Sequence, residues 1–129
     1  RVGLGSDVGA GRSFSMRRAC ARAYDASRIT SSEVSPMELL WLASRGGALA
    51  LHRDQIGVIQ PGAFADVICL EPPAMTYSSS RESHANNPLE ERSLDTLIAQ
   101  LIFCEDWDAT REVYTRGQRR WSSSASVNP

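Results

Sequence analysis

The sequence predicts an α/β chain whose strands are few, short and scattered between helices. Three observations carry that expectation. A short apolar run, Val2 to Leu4, ends in the stretch Gly5-Ser6-Asp7-Val8-Gly9-Ala10-Gly11, as a buried strand ends in a loop. Helical periodicity then takes over twice before His52 and once more between Leu94 and Ile102. Short β-type segments lie between those helices and near the end of the chain. One strand feeding two helices builds no sheet by itself, so the pattern implies neighbours beyond the elements present.

Each element has a local cause. From Ser13 to about Ser27 the apolar residues Phe14, Met16, Ala19, Cys20, Ala23 and Tyr24 recur every three or four positions, which predicts a helix. In Ser35-Pro36-Met37-Glu38 a Ser N-cap, a Pro at the first helical position and a Glu at the third form a capping box. The helix that follows is expected to bury Met37, Leu40, Trp41 and Ala43 and to stop at Gly46-Gly47, with Ala48 to Leu51 adding a turn. These segments make up a first region, residues 1–55.

Past His52, Ile56 to Ile59 reads as a short strand, Pro61-Gly62 as a turn and Val67 to Leu70 as a buried strand, all within 56–73. A polar loop over 74–87 follows Pro72 and Pro73. Asn87-Pro88-Leu89-Glu90 repeats the capping pattern and opens a helix over 88–104, with Leu94, Leu97, Ile98, Leu101 and Ile102 as its buried stripe. Within 105–121, Val113 to Thr115 and Gln118 to Trp121 flank Arg116-Gly117 as a hairpin. Residues 122–129 are expected to be a disordered tail.

Composition excludes several classes. Of 129 residues 42% are apolar and 22% charged, which is ordinary for a globular chain. A net charge of −1 leaves no electrostatic footprint for nucleic acid. No apolar run approaches the roughly 20 residues of a membrane helix, and no signal-peptide pattern opens the chain. All 14 basic residues are Arg. Cys20, Cys69 and Cys104 are widely spaced and sit among apolar neighbours, so they are expected to be buried free thiols of a cytoplasmic protein. The opening Arg1-Val2-Gly3-Leu4-Gly5, with no Met before Met16, is read as the end of a strand cut from something longer, making this a C-terminal fragment.

Chemistry concentrates at Asp7. It follows directly on the first apolar run, in a loop whose glycines allow positive φ and close backbone approach. Ligand sites in parallel α/β folds form at the C-terminal ends of strands. The residues alone leave two readings: Asp7 caps a turn or helix, or it serves as a metal ligand or acid/base group. A dinucleotide loop is weaker, since the glycine spacing fits poorly and no complete βαβ unit follows. His52 at a helix end reads as a surface or C-cap group, and His84 in the polar loop as a solvated one. Asp66 reads as a turn hydrogen-bonder, Trp41 and Trp107 as packing residues, and Glu105, Asp106 and Asp108 as a solvated acidic loop.

The string GSDVGAGRSFSM, with Ala23-Tyr24 further on, resembles the eighth strand and following loop of the guanine deaminases in the amidohydrolase superfamily. SPMELLWLASRGGALAL, IGVIQPGAFADVICLEP and VYTRGQRRW extend the resemblance to about residue 121. The resemblance implies the C-terminal portion of a metal-dependent-hydrolase (β/α)8 barrel, its last strand and helices, plus part of a small composite β-sandwich. A whole barrel takes about 250 residues, so this chain holds only part of one. It further implies hydrolysis of guanine to xanthine and ammonia, one Zn²⁺ per active site, a cytoplasmic location and a homodimeric parent.

By the same resemblance Asp7 is both metal ligand and catalytic proton acceptor for the attacking water, with Gly9, Gly11 and Ser13 as loop residues near substrate. Zinc lowers the pKa of bound water to about 7, and an adjacent carboxylate accepts its proton. The sequence departs from the family at Ser6, which replaces a Thr, at Arg12, where a small polar residue is common, and at Ala63, which replaces a Lys. No H-x-H occurs, so the remaining zinc ligands are expected outside this chain and the isolated chain is expected to be inactive. Alternatives are another aminohydrolase or chlorohydrolase of the superfamily, or a non-catalytic remnant or interaction module.

Overall fold

A computed structural model describes residues 1–71, 93–104 and 110–123. The expected polar loop over 74–87, the capping pattern at Asn87 and the acidic residues after Cys104 lie outside these residues, as do His84, Trp107 and the tail from Ser124 on.

Helix α1 spans Met16–Ile29. Ser15 caps it, accepting a hydrogen bond from the Arg18 N–H, so Phe14, expected within the helix, falls outside it and is 86% exposed. The chain leaves α1 through a Schellman turn: Ser31, at φ 55°, donates to the Arg28 carbonyl, and Ser32 donates to that of Ser27.

Helix α2, Pro36–Trp41, starts with the expected capping box. The Ser35 N–H donates to Glu38 Oε2 at 2.8 Å and the Glu38 N–H donates to Ser35 Oγ at 3.2 Å. These bonds hold the Glu38 carboxyl below the usual carboxylate range.

The expected stop at Gly46-Gly47 is not there. The chain passes from α2 through a π-helical turn, Leu42–Gly46, into α3, Gly47–Ala50. Both glycines hold ordinary right-handed helical angles, with φ −58° and −61°. They serve close packing: a Cβ on Gly46 would sit 2.7 Å from the Trp41 ring, and one on Gly3 would sit 2.4 Å from the Gly47 Cα. The helix ends at His52, whose φ of 55° makes a second Schellman turn with the Leu49 and Ala48 carbonyls.

α1 and α2 pack with α4, Leu94–Phe103, capped by Ser93. Cys20, Leu39, Ile98 and Ile102 form the core cluster, and Tyr24 meets Phe103 edge-on with ring centroids 5.0 Å apart. The expected buried face of α2 is corrected here. Leu39 is fully buried, while Met37 and Trp41 are 37% and 48% exposed. Leu39, Leu40, Trp41 and Leu42 run consecutively, so periodicity could not choose the face; the docking of α4 does.

Strands β1 (Val67–Leu70), β2 (Thr110–Thr115) and β3 (Gln118–Ser122) form an antiparallel sheet in the order β1-β2-β3. Ser122 pairs with Glu112 and so belongs to β3 rather than to a tail. Arg116 and Gly117, at φ 50° and 75°, make the tight hairpin turn. Asp66 Oδ1 accepts from the Arg116 N–H at 2.7 Å, the turn-bonding role expected of it.

Other strand expectations fail. β1 is not buried: Ile68 is 59% exposed, and the register puts it on one open face with Val113 and Trp121. Cys69 is accordingly exposed and Cys104 half-buried; of the three thiols only Cys20 is buried, which raises its pKa. Ile56 to Ile59 forms no strand. Arg45 reaches across instead, its Nη1 donating to the Asp54 carbonyl at 2.8 Å and the Ile56 carbonyl at 3.0 Å. A guanidinium thus satisfies backbone groups that a ladder would otherwise pair. Val2 to Leu4 likewise pairs with no strand among the described residues.

Truncating the buried Leu39 to Ala is expected to cost about 3 kcal/mol, whereas Met37→Ala costs less than about 1 kcal/mol. Urea midpoints of the two variants check this; equal losses would contradict the packing.

Candidate functional site

The site begins with Gly3. Its backbone lies directly on Gly47, and the next residue, Leu4, donates its N–H to the Leu42 carbonyl at 2.9 Å. The approach segment is therefore bonded to the side of a helix rather than to a sheet. Leu4 also packs against the core cluster, which anchors the segment from its apolar side.

The chain then closes a tight loop. Asp7 adopts φ 49°, a region that Asp enters more readily than most residues. Its carbonyl accepts from the Ala10 N–H at 3.1 Å and from the Gly11 N–H at 2.5 Å. A Cβ on Gly11 would lie 2.0 Å from the Ser6 carbonyl oxygen, so closure requires glycine there.

Closure divides the work of Asp7. The backbone carbonyl is spent on the turn, while the carboxylate is exposed and makes no hydrogen bond or ion pair among the described residues. The side chain therefore caps neither the loop nor α1, whose cap is Ser15. Ser13 accepts from the Ser15 N–H through its Oγ at 3.0 Å, which shapes the entry to α1. Gly9, at φ 107°, has open space around it. Arg12 projects from the end of the loop, exposed.

Other residues considered from the sequence are not brought to this loop. His52 forms the helix-ending turn after α3, and Asp66 is tied to the hairpin. A cleft lined by Tyr24, Arg28, Glu33 and Glu38 takes no residue from the Asp7 loop. No group of three or more His, Cys, Asp or Glu among the described residues could hold a metal ion. These residues therefore do not fit a zinc site by themselves, since such a site needs three or four protein ligands and the loop offers one carboxylate. Sequence reasoning missed two residues that position the loop, Gly3 and Gly47. The signal is the Gly-Gly pair inside a helical pattern, which in sequence resembles a helix stop.

A model of the amidohydrolase family matches residues 1–111. The chain belongs to the amidohydrolase family. Among the family's proteins, a probable guanine deaminase of Deinococcus radiodurans is 38% identical over 102 residues, covering 76% of this chain and 23% of that protein. An imidazolonepropionase of Cutibacterium acnes is 48% identical over 44 residues, covering 34% of this chain and 11% of that protein. The solved structure of Escherichia coli guanine deaminase superposes with a TM-score of 0.73 at 29% identity, covering 94% of this chain and 27% of that one. The chain thus spans about a quarter or less of the length of these amidohydrolases, and its α/β make-up with a small antiparallel sheet matches part of the guanine deaminase fold.

Gly11→Ala is expected to open the loop, shifting the amide resonances of residues 6–12 in a proton–nitrogen spectrum. Gly5→Ala, where a Cβ meets nothing within 4 Å, is expected to leave them in place. Equal perturbation by both would contradict the closure described.

Proposed function

We propose that this chain is the C-terminal part of a guanine deaminase, an amidohydrolase that converts guanine and water to xanthine and ammonia. The observation that carries the reading is the Asp7 carboxylate, left free and exposed by a loop that uses the residue's own carbonyl for closure. The 38% identity to a probable guanine deaminase supports the choice of reaction within the family.

In this reading Asp7 accepts a proton from the water whose oxygen bonds to the ring carbon bearing the exocyclic amine. It returns that proton to the departing nitrogen, the carbon–nitrogen bond breaks and ammonia leaves. A carboxylate suits both transfers because it alternates between acceptor and donor without moving. The loop holds it on a closed turn, which limits the reorganisation each transfer requires. Gly9 leaves room for a planar ring beside the backbone.

A Zn²⁺ ion belongs to the proposal, with Asp7 as the one ligand this loop offers and the others supplied from outside the described residues. The same reading takes α1 to α3 as helices of a (β/α)8 barrel, the three-stranded sheet as part of a β-sandwich, and the working protein as a cytoplasmic homodimer. A second reading, hydrolysis of an imidazolone ring, draws on the similarity to the imidazolonepropionase.

Profiling the full-length protein that carries this chain against guanine, adenine, cytosine and imidazolonepropionate separates the two. Guanine is expected to be the best substrate, and Asp7→Asn to lower its kcat about 10²- to 10⁴-fold. The isolated 129 residues, supplied with zinc, are expected to form no xanthine. Preferred turnover of imidazolonepropionate would favour the second reading, and an unchanged kcat in Asp7→Asn would remove Asp7 from the chemistry.

A further inference from the structure

The π-helical turn Leu42–Gly46 is held by two segments distant from each other in sequence. The first leads to the Asp7 loop: Gly3 lies against Gly47, and the Leu4 N–H donates to the Leu42 carbonyl at 2.9 Å. The second follows α3. A Cβ on Gly57 would sit 2.8 Å from the Ser44 carbonyl oxygen and 3.0 Å from the Arg45 Cα, and the Gly57 φ of 70° also favours glycine. Arg45, half-buried, ties this segment to the turn, with its Nη1 donating to the carbonyls of both Asp54 and Ile56. Within the turn, Ser44 Oγ donates at 2.7 Å to the Leu40 carbonyl, the acceptor that α-helical bonding assigns to the Ser44 N–H.

The second segment is also fastened to the sheet. The Phe64 N–H donates to the Gln55 carbonyl at 2.8 Å, and the Gly117 N–H donates to the Ala65 carbonyl at 2.9 Å. The Arg116 guanidinium lies over the Phe64 ring, 4.9 Å from its centroid. Contacts therefore run from the β2–β3 hairpin through Gln55 and Arg45 to the π-helical turn, and from there to Leu4 and the Asp7 loop.

Continuity alone does not couple two sites; an element with two arrangements does. A π-helical turn is such an element, because it holds one residue more than an α-helical turn. Relaxing it to α register rotates one flanking helix by about 100° and shifts it by about 1.5 Å. Gly47 would then turn away from Gly3, and the Leu42 carbonyl would pass to a helical N–H. The bonds from Arg45 oppose this relaxation by fixing the turn to the Asp54 and Ile56 carbonyls.

We propose that Arg45 is a positioning residue for the Asp7 carboxylate, acting through the π-helical turn, so that docking of the 54–57 segment sets the Asp7 loop. The inference rests on the reading of Asp7 as the proton-transferring group and adds a control that lies outside its loop.

The test uses the full-length protein that carries this chain, with Arg45→Met, which keeps an apolar stem and removes the donors, and Arg45→Lys, whose ammonium can still donate to both carbonyls. Hydrogen exchange at the Leu4 amide is read beside that of α1 and α4. Arg45→Met is expected to speed exchange at Leu4 about tenfold or more while α1 and α4 keep their protection. The kcat for guanine is expected to fall about 10- to 100-fold with KM within about twofold, since the displaced group transfers protons. Arg45→Lys is expected to restore most of both. Gly57→Ala reaches the turn without altering Arg45 and is expected to give the same local loss at Leu4. Unchanged protection at Leu4 in Arg45→Met, equal loss in α1 and α4, no recovery with Arg45→Lys, or an unchanged kcat alongside fast exchange at Leu4 overturns the proposal. A wild type that leaves guanine intact would defeat the deaminase reading instead, and exchange at Leu4 would still decide whether Arg45 sets the loop.

Discussion

The contact on which this structure depends is backbone against backbone: Gly3 seated on Gly47, with no side chain on either residue between them. A Cβ on Gly3 would come within 2.4 Å of the Gly47 Cα, so nothing larger than glycine fits without moving the helix or the approach segment. The adjoining bond from the Leu4 N–H to the Leu42 carbonyl gives the contact direction. That carbonyl opens the π-helical turn, where regular helical bonding is relaxed and an acceptor is available to an outside donor. Two glycines inside a helix cost about 1 kcal/mol each relative to alanine, and the close packing of Gly3 and of the Trp41 ring offsets that cost.

From this contact the loop inherits its position. Leu4 packs on the core formed by Cys20, Leu39, Ile98 and Ile102, so the residues leading to Asp7 are held by helices distant in sequence. The loop then closes on the Asp7 carbonyl through two N–H groups and stores modest strain at an Asp with positive φ. From the π-helical turn, Arg45 clamps the carbonyls of Asp54 and Ile56 in the segment after α3. Helices, loop and sheet are thus joined by specific polar links more than by a large core, consistent with the exposed apolar faces of β1 and β3.

Much of this was legible in the sequence, for reasons that differ by element. The capping box at Ser35 is a short-range device whose partners lie three residues apart, and it appears as expected. The hairpin at Arg116-Gly117 is local in the same way. The family could be read from the Asp7 loop and the segments after it, because those strings extend over most of the chain. What escaped depends on partners far along the chain. The buried face of α2 is chosen by α4, about 55 residues later, and four consecutive apolar residues gave periodicity nothing to work with. Gly46-Gly47 looked like a stop because its packing partner is Gly3. Ile56 to Ile59 looked like a strand because its alternative, a guanidinium reaching from Arg45, has no signature in the segment itself. At the site, the exposure of the Asp7 carboxylate could not be read from composition; it depends on how the loop closes, through the Ala10 and Gly11 N–H groups on the Asp7 carbonyl.

The most direct test of this account is amide hydrogen exchange at Leu4, measured in the wild-type protein and in Gly3→Ala. The account predicts that the Leu4 N–H is protected to about the same degree as the amides of α3, and that Gly3→Ala removes this protection while α1 and α4 keep theirs. Fast exchange at Leu4 in the wild type, or unchanged protection in Gly3→Ala, would contradict the claim that the glycine contact places the Asp7 loop.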